Sequence, residues 1–215
     1  MFPLDIHTHR LPLHPGGAIV NCYPETFSPQ AEGWYSVGIH PWQAGQIAGD
    51  DGLCAAVERL RSLLCHPQVL AVGEVGIDKL TDTPVEWQLR LFEQQARLAE
   101  EAGKPLVIHL VKATEELLKL KRTLRPAVPW IIHGFRGKKE QAREYMRHGL
   151  CLSFGEKYQE EALRTVSEDC LFIETDESTV SLRELYARAA RVRGVSPEAL
   201  AETVRRNVRN LFFKP

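Results

Sequence analysis

The sequence lacks several features that would place it in other classes of protein. Its five cysteines are scattered and form no CxxC pair, which argues against a disulfide framework or a structural zinc site and favours reduced thiols. The chain does not open on a basic segment followed by an apolar one, so we expect no signal peptide. No apolar run approaches the length of a bilayer span, so we expect no membrane partner. These features predict a cytoplasmic protein.

The sequence also lacks an excess of charge of either sign. A formal net charge of -1 argues against binding to nucleic acid through overall charge, although it leaves room for a locally basic mouth around a site. The apolar fraction of 44% and the charged fraction of 26% are typical of a globular protein. With no internal repeat or linker in 215 residues, we expect a single domain over residues 1–215 and no obligatory protein partner.

Short apolar runs alternate with helical patterns along most of the chain. This order favours a parallel sheet covered by helices, and a count of eight strands suggests an α/β fold of the closed (β/α)₈ TIM-like barrel type. The predicted strands are Phe2–Ile6, Ala18–Cys22, Tyr35–Ile39, Val69–Val75, Leu106–Leu110, Trp130–His133, Leu150–Phe154 and Leu171–Thr175.

The first third of the chain departs from the regular barrel pattern. Only about a dozen residues separate the first strand from the second and the second from the third, which is too few for a full crossover helix. Both stretches are also rich in proline and glycine. We therefore predict a shortened barrel in which loops replace the first two crossover helices.

Helix boundaries are clearest in the second half of the sequence. The run Thr83-Pro84-Val85-Glu86 reads as an N-cap, a first-turn proline and a capping-box glutamate, and it predicts a helix that ends near Ala102. Gly194 is predicted to end another helix, and Ser196-Pro197 to begin the last one.

Titratable side chains cluster at the predicted strand ends, which converge on one face of a parallel barrel. In the His-Thr-His run, strand alternation points both imidazoles the same way, so they can reach one cation. Taken together, the set predicts a metal site. Four histidines and two carboxylates exceed the three ligands of one catalytic zinc, so two divalent ions with a bridging carboxylate and hydroxide are predicted. The candidates are His7, His9, His40, Glu74, His109, His133 and Asp176.

At these positions the chain resembles the TatD family of metal-dependent deoxyribonucleases, which belongs to the amidohydrolase-like barrels. The resemblance covers nearly the whole chain with its motifs in order. The motifs are Asp5-Ile6-His7-Thr8-His9, Gly38-Ile39-His40-Pro41, Val72-Gly73-Glu74-Val75-Gly76-Ile77-Asp78, Pro105-Leu106-Val107-Ile108-His109, Ile132-His133-Gly134-Phe135-Arg136-Gly137, Ser153-Phe154-Gly155, Glu174-Thr175-Asp176 and Asn207-Val208-Arg209-Asn210-Leu211-Phe212.

The resemblance implies roles for individual residues. One metal would be held by His7, His9, Glu74 and Asp176. Glu74 would bridge to a second metal held by His109 and His133. His40 would support the site from outside the ligand set or contact the substrate. The family's activity implies a DNA substrate.

The sequence departs from the family pattern around the substrate rim. Trp42 stands where the family has a second histidine, and Lys79 where it has an aromatic residue. The arginine usually found two residues after the fifth-strand histidine is Val111, followed by Lys112. The long loop after the final aspartate is reduced to six residues, 177–182. The metal ligands are retained while the rim is altered.

The predicted mechanism is hydrolysis by a metal-activated hydroxide. Glu74 would bridge the ions, and Asp176 would orient the water and accept its proton as general base. The ligand types do not distinguish zinc, manganese, magnesium, iron and nickel.

Basic residues after several strand ends favour an anionic, phosphate-containing substrate, and Lys112, Arg136 and His40 are the predicted substrate contacts. The full basic set is Arg10, Lys79, Lys112, Arg136, Lys138, Lys139 and Lys157. Two alternatives stay open at this point. One is a hydrolase of an amide or lactone at the same site, and the other is a metal-bound, non-catalytic binding protein.

Overall fold

The computed structural model describes residues 4–213, in which eight parallel strands pair in chain order into one sheet. This arrangement confirms the predicted (β/α)₈ barrel. The strands are β1 Asp5–Thr8, β2 Ala18–Cys22, β3 Trp34–Val37, β4 Val69–Asp78, β5 Leu106–Val111, β6 Trp130–Ile132, β7 Leu150–Phe154 and β8 Leu171–Ile173.

The sheet closes where the segment after β8 meets β1. The backbone N–H of Asp176 donates to the carbonyl of His7 at 2.9 Å, and the N–H of His9 donates to the carbonyl of Asp176 at 3.3 Å. Beside this pair, the buried Asp5 carboxylate accepts hydrogen bonds from the backbone N–H of Thr175 at 2.9 Å and from its hydroxyl at 2.6 Å. The closure therefore fixes the Asp176 backbone against the strand that carries the first two histidines.

Seven α-helices surround the described barrel, and none of them lies between β1 and β2 or between β2 and β3. Residues 9–17 and 23–33 form these two connections without a helix, which confirms that loops replace the first two crossover helices. A 3₁₀ helix, Pro41–Gln46, follows β3. The α-helices are α1 Gly49–Leu64, α2 Val85–Ala102, α3 Thr114–Leu124, α4 Lys139–Arg147, α5 Glu160–Thr165, α6 Leu182–Arg193 and α7 Pro197–Phe212.

The strands are buried on both faces. All ten residues of β4 and all five of β7 are buried. A barrel strand faces the packed interior on one side and a covering helix on the other, so its sequence reads as a continuous apolar run. Polar residues within such runs, such as Glu74 in β4, therefore need a specific reason to be there.

Several predicted strand ends shift by one to three residues. Phe2 and Pro3, which opened the first predicted strand, lie outside the described residues, and the observed strand Asp5–Thr8 contains His7. β4 continues to Asp78, so the whole Gly-Ile-Asp segment is extended. His133 follows β6 directly instead of ending it.

The predicted start of α2 was wrong. Pro84 is its N-cap and makes no side-chain cap, so Thr83 stands before the helix. The carbonyl of Thr83 accepts a hydrogen bond from the Gln88 side-chain amide at 2.8 Å. The first helical bond instead runs from the N–H of Gln88 to the carbonyl of Pro84. The predicted end of α2 at Ala102 is confirmed, with Gly103 left-handed beyond it.

The predicted boundaries of the last two helices are confirmed. Gly194 ends α6 in a left-handed conformation, and the hydroxyl of Ser196 caps α7 by accepting from the N–H of Ala199. Within residues 4–213, no helix is long and apolar enough to cross a membrane.

Candidate metal centre

Glu74 lies at the centre of the histidine cluster. Its buried carboxylate points two oxygens in different directions, and one of them, Oε1, faces three imidazoles. The distances from Oε1 are 2.8 Å to His109 Nδ1, 2.8 Å to His133 Nε2 and 3.1 Å to His40 Nε2. His109 comes from β5 and His133 follows β6, so neighbouring strands deliver both to the same side.

The second oxygen of Glu74, Oε2, faces His7 in β1 and His9, which follows β1 directly. It lies 3.4 Å from Nε2 of His7 and 3.4 Å from Nε2 of His9. Asp176 Oδ1 lies 3.8 Å from the same atom of His7 and 3.6 Å from that of His9. The structure thus brings all six sequence-predicted metal ligands together, in two groups on either side of one carboxylate.

Backbone contacts hold the central carboxylate and the final aspartate in place. The N–H of Glu74 donates to Oδ1 of Asn21 on β2 at 2.6 Å. Asp176 adopts a positive φ of 53°, a conformation that costs energy in a residue other than glycine and that surrounding contacts must maintain. Its two backbone hydrogen bonds to β1 supply those contacts.

Asp78 orients His109 from outside the cluster. Its Oδ2 lies 3.1 Å from His109 Nε2, on the opposite edge of the ring from Glu74. A carboxylate only accepts hydrogen bonds, so with a cation bound at Nδ1 the ring would keep its proton on Nε2, where Asp78 accepts it. This pairing of a ligand histidine with an outer carboxylate is common at metal sites.

Glu174 lies beside His133 in a similar way. Its carboxylate is fully buried, and Oε1 is 3.4 Å from His133 Nδ1 and accepts from the N–H of Gly134 at 2.5 Å. His133 Nε2 is left to face Glu74. Each of the two histidines on this side therefore has a carboxylate behind it.

His40 has a different hydrogen-bonding state. Its Nδ1 accepts from the backbone N–H of Trp42 at 3.1 Å, so in the neutral ring the proton lies on Nε2 and points to Glu74. Burial lowers the pKa of His40, which favours this neutral form. His40 therefore donates to the central carboxylate and offers no lone pair to a cation through Nε2.

The charges of the cluster stabilise one another. Burial alone would raise the pKa of Glu74, but the charge of His133 and hydrogen bonds from His109, His133 and His40 bring it well below its ordinary value. Burial likewise opposes protonation of His133, yet Glu74 and Glu174 hold its pKa well above the usual range. The contact with Glu74 also raises the pKa of His9. The Glu74 side chain is therefore a negatively charged carboxylate surrounded by imidazoles.

The donor set fits divalent cations. Both ring nitrogens of His7 are buried without a hydrogen-bond partner among residues 4–213, although Nε2 faces two carboxylates. Unpartnered buried nitrogen atoms are costly unless something else binds them. Imidazole nitrogen and carboxylate oxygen are ligands of zinc and other transition metals. The triplets His7–His9–Glu74 and His7–His133–Asp176 each present ligand atoms within 4.8 Å of one another.

A cavity of about 560 Å³ opens over the cluster. It is lined by His9, Glu74, His109, His133 and Asp176, and also by the predicted substrate contacts His40, Lys112 and Arg136.

The other basic residues predicted at the mouth do not line this cavity. Lys79 pairs with Glu116 at 2.6 Å, and Lys139 pairs with Glu161 at 2.7 Å. Arg10 donates to the carbonyls of residues 177 and 178. Lys138 and Lys157 line neighbouring surface grooves.

Asp78, Glu174 and Asn21 support the site but were not among the predicted site residues. Asp78 and Glu174 do stand inside the motifs Gly-Ile-Asp and Glu-Thr-Asp, so a signal was present. Asn21, within β2, carries no such signal, because its contact with Glu74 depends on barrel register.

An eight-stranded parallel barrel with histidines and carboxylates at the carboxyl ends of its strands defines a class of protein, the metal-dependent barrel hydrolases. The profile of the TatD-related DNase family matches residues 25–213. The chain belongs to this family.

Individual relatives agree with that assignment. The metal-dependent hydrolase YabD of Bacillus subtilis is 35% identical over 150 residues, which are 66% of this chain and 57% of YabD. The 3'-5' ssDNA/RNA exonuclease TatD of Cronobacter sakazakii is 30% identical over 217 residues, covering 87% of this chain and 80% of the relative. The chain thus spans a little over half the length of YabD and four fifths of this TatD.

Solved structures show the same fold. The Escherichia coli K12 TatD homologue YJJV superposes with a TM-score of 0.83 at 19% identity, covering 100% of this chain and 98% of that one. A TatD family hydrolase from Entamoeba histolytica superposes with a TM-score of 0.75 at 15% identity, covering 91% and 84%.

Proposed function

We propose that the protein is a metal-dependent phosphodiesterase that cleaves DNA, with a single-stranded end as its substrate. The central observation is the Glu74 carboxylate, whose two oxygens face separate groups of imidazoles. With Glu74 between them, His7, His9 and Asp176 would hold one divalent ion, and His109 and His133 would hold a second. The TatD exonuclease name of several relatives supports a nucleic acid substrate.

Divalent ions in this position supply a water of lowered pKa and polarise the scissile phosphate. The protein contributes the positions and the proton acceptor. Asp176 Oδ1 lies at the edge of the cluster with its side chain 26% exposed, so it can contact both a ligand histidine and a water in the cavity. Asp176 would accept the proton of the attacking water as general base.

The cavity supports an anionic substrate. Lys112 and Arg136 both line it, on loops after β5 and β6, beside the histidines of those strands. These cations would hold the phosphates that flank the scissile bond, while His40 keeps Glu74 in position. The six proposed metal ligands all belong to one barrel, which supports a single functional domain. A cytoplasmic location stays a prediction.

The test is a substrate panel with purified protein supplied with Mn²⁺, Zn²⁺ or Mg²⁺. We expect cleavage of a single-stranded deoxyoligonucleotide, and little turnover of a phosphomonoester, an amide or a lactone. Asp176→Asn should bind metal yet lose at least a hundredfold in kcat, because the proton acceptor is gone. Turnover of the lactone or amide alone would contradict the proposal and favour the non-phosphate alternative.

The contribution of Arg136 can be measured separately through salt dependence. Each phosphate contact adds about 0.7 to the slope of log Kd against log salt for a single strand, so Arg136→Gln should lower the slope by about that amount. Lys79→Gln is the matched control, since Lys79 is already paired with Glu116 and should leave the slope unchanged.

A further inference from the structure

Trp42 exposes a large aromatic surface at the mouth of the metal centre. Trp42 as a whole residue is 63% exposed, although tryptophan is usually well buried. The residue lines the same cavity as Glu74 and His109. An exposed indole beside a catalytic cavity is a candidate contact for the substrate.

The indole ring is held in one orientation. Its Nε1–H donates to Oδ2 of Asp78 at 2.8 Å, and its backbone N–H donates to Nδ1 of His40 at 3.1 Å. The ring packs edge-on against that of His40, with centroids 4.8 Å apart and an interplanar angle of 83°. A ring that is already fixed loses little conformational entropy when a ligand packs on it.

Asp78 also binds the backbone of a second exposed apolar residue. Its other oxygen, Oδ1, accepts from the backbone N–H of Leu80 at 2.9 Å, and Leu80 is 65% exposed. The Asp78 carboxylate thus binds both the indole N–H of Trp42 and the backbone N–H of Leu80, and Trp42 is the one of these two that lines the cavity. The cations that line the cavity come from a different part of the barrel. Lys112 and Arg136 lie on the loops after β5 and β6, whereas Trp42 lies in the 3₁₀ helix after β3.

We propose that Trp42 stacks on a nucleobase of the strand whose phosphate lies at the metal centre. This proposal rests on the proposed function, because the base is assigned to a nucleic acid substrate. The faces of bases are flat and apolar while phosphates are anionic, so the Trp42 ring and the cations Lys112 and Arg136, which line the same cavity, match the two parts of a nucleotide. Stacking on a protein aromatic ring tightens binding by about tenfold per base.

The experiment compares the affinities of two fluorescein-labelled, single-stranded oligonucleotides of four nucleotides in the presence of Mn²⁺. One carries its bases, and the other has the same phosphates but is abasic at every position. Binding is measured by fluorescence anisotropy in the Asp176→Asn background, in which turnover is expected to be at least a hundredfold slower. The Asp176→Asn parent should bind the base-containing strand about tenfold more tightly than the abasic one. Trp42→Leu should abolish this preference, whereas Trp42→Phe should keep most of it.

The two variants separate the ring from its hydrogen bond. Both lose the indole N–H to Asp78, so any difference between them reports the aromatic face alone. Leu13→Ala is the control, since Leu13 is 97% exposed but does not line the cavity. An unchanged preference in Trp42→Leu would overturn the stacking role and leave the proposed function standing. Failure of the parent to bind either strand would overturn both.

Discussion

The contact between Asp78 and His109 illustrates how one outer carboxylate can orient a candidate metal ligand. Asp78 accepts from Nε2, so Nδ1 is the nitrogen left to face Glu74. Without Asp78 the ring could rotate or place its proton on either nitrogen, and the lone pair would face the cluster only part of the time. Removal of a carboxylate at this position commonly weakens metal binding 10- to 100-fold.

We therefore predict that Asp78→Ala lowers the affinity for Mn²⁺ or Zn²⁺ by about 10- to 100-fold. Isothermal titration calorimetry on metal-free protein measures this directly. Glu116→Ala is the control, because Glu116 lies after β5 and pairs with Lys79. Equal affinities in wild type and Asp78→Ala would show that His109 is oriented without Asp78.

The close packing of β4 against β5 also determines the geometry of the site. Gly76 in β4 has a φ of 155°, and a Cβ atom added there would overlap the carbonyl oxygen of His109 on β5. The two strands thus approach so closely that a side chain has no room. This close approach brings the backbone of His109 beside the strand that carries Glu74.

Gly76→Ala is expected to destabilise the protein by roughly 2–5 kcal/mol, since both the backbone conformation and the space oppose it. Gly103→Ala is the matched control, because Gly103 is also left-handed, with φ 64°, but nothing lies within 4 Å of its added Cβ. That change should cost only about 1–2 kcal/mol. Urea unfolding of both variants in EDTA compares them, and equal losses would contradict the steric explanation.

Helix α6 is tied to the start of β1 by Tyr186, whose hydroxyl donates to the carbonyl of Leu4 at 2.8 Å. Burial raises the pKa of Tyr186 well above its ordinary value of 10. The folded state therefore holds this proton more tightly than the unfolded state. The stability it contributes is complete below about pH 10 and is lost as the pH rises towards the folded pKa.

Tyr186→Phe should lower the free energy of unfolding by about 1 kcal/mol at neutral pH, because the hydrogen bond is lost. It should also make stability fall less steeply above pH 10. Chemical unfolding in EDTA at pH 7 and at several values above 10 measures both effects. Parallel pH profiles for wild type and variant would show that this hydroxyl does not titrate differently on folding.

At the scale of the whole molecule, metal binding should be coupled to folding. The candidate ligands come from β1, β4, β5 and the segments after β1, β6 and β8, so an ion bound to them would favour the closed barrel over the unfolded chain. A ligand at 100 times its Kd stabilises the folded state by about 2.7 kcal/mol.

For a chain of this size we expect Mn²⁺ or Zn²⁺ at that excess to raise Tm by about 5–11 °C over EDTA-treated protein. Glu74→Gln, which removes the central carboxylate but keeps its size, should abolish the shift. Glu93→Gln, on the surface of α2, should retain it. Differential scanning fluorimetry records all three, and an equal shift in Glu74→Gln would exclude Glu74 as a central ligand.

The sequence was sufficient for the order of the strands, the two missing helices and the candidate ligands. Apolar runs with two-sided burial recur at regular spacing, and proline and glycine occupy the short early connections, so these features are local. The start of α2 could not be read in the same way. Thr83 resembles an N-cap, but its carbonyl is bound by the side chain of Gln88.

The residues that complete the site depend on barrel geometry. The motif His-Thr-His and the histidines after β5 and β6 point to a metal from sequence alone. That Asp78 faces one ring and Glu174 another, or that Asn21 holds Glu74, follows only from which strands are neighbours and how they are registered. Of the seven basic residues predicted at the mouth, the structure places Lys112 and Arg136 in the cavity.

The amino-acid sequence by itself determined the type of fold and the chemistry of the ligands, because periodicity and residue type are local properties. Only the tertiary structure decided which oxygen of Glu74 faces which histidines, and that Trp42 is exposed at the mouth and held by Asp78. The physical reason is that these contacts join residues far apart in the chain, whose distances are set by the closure of the barrel.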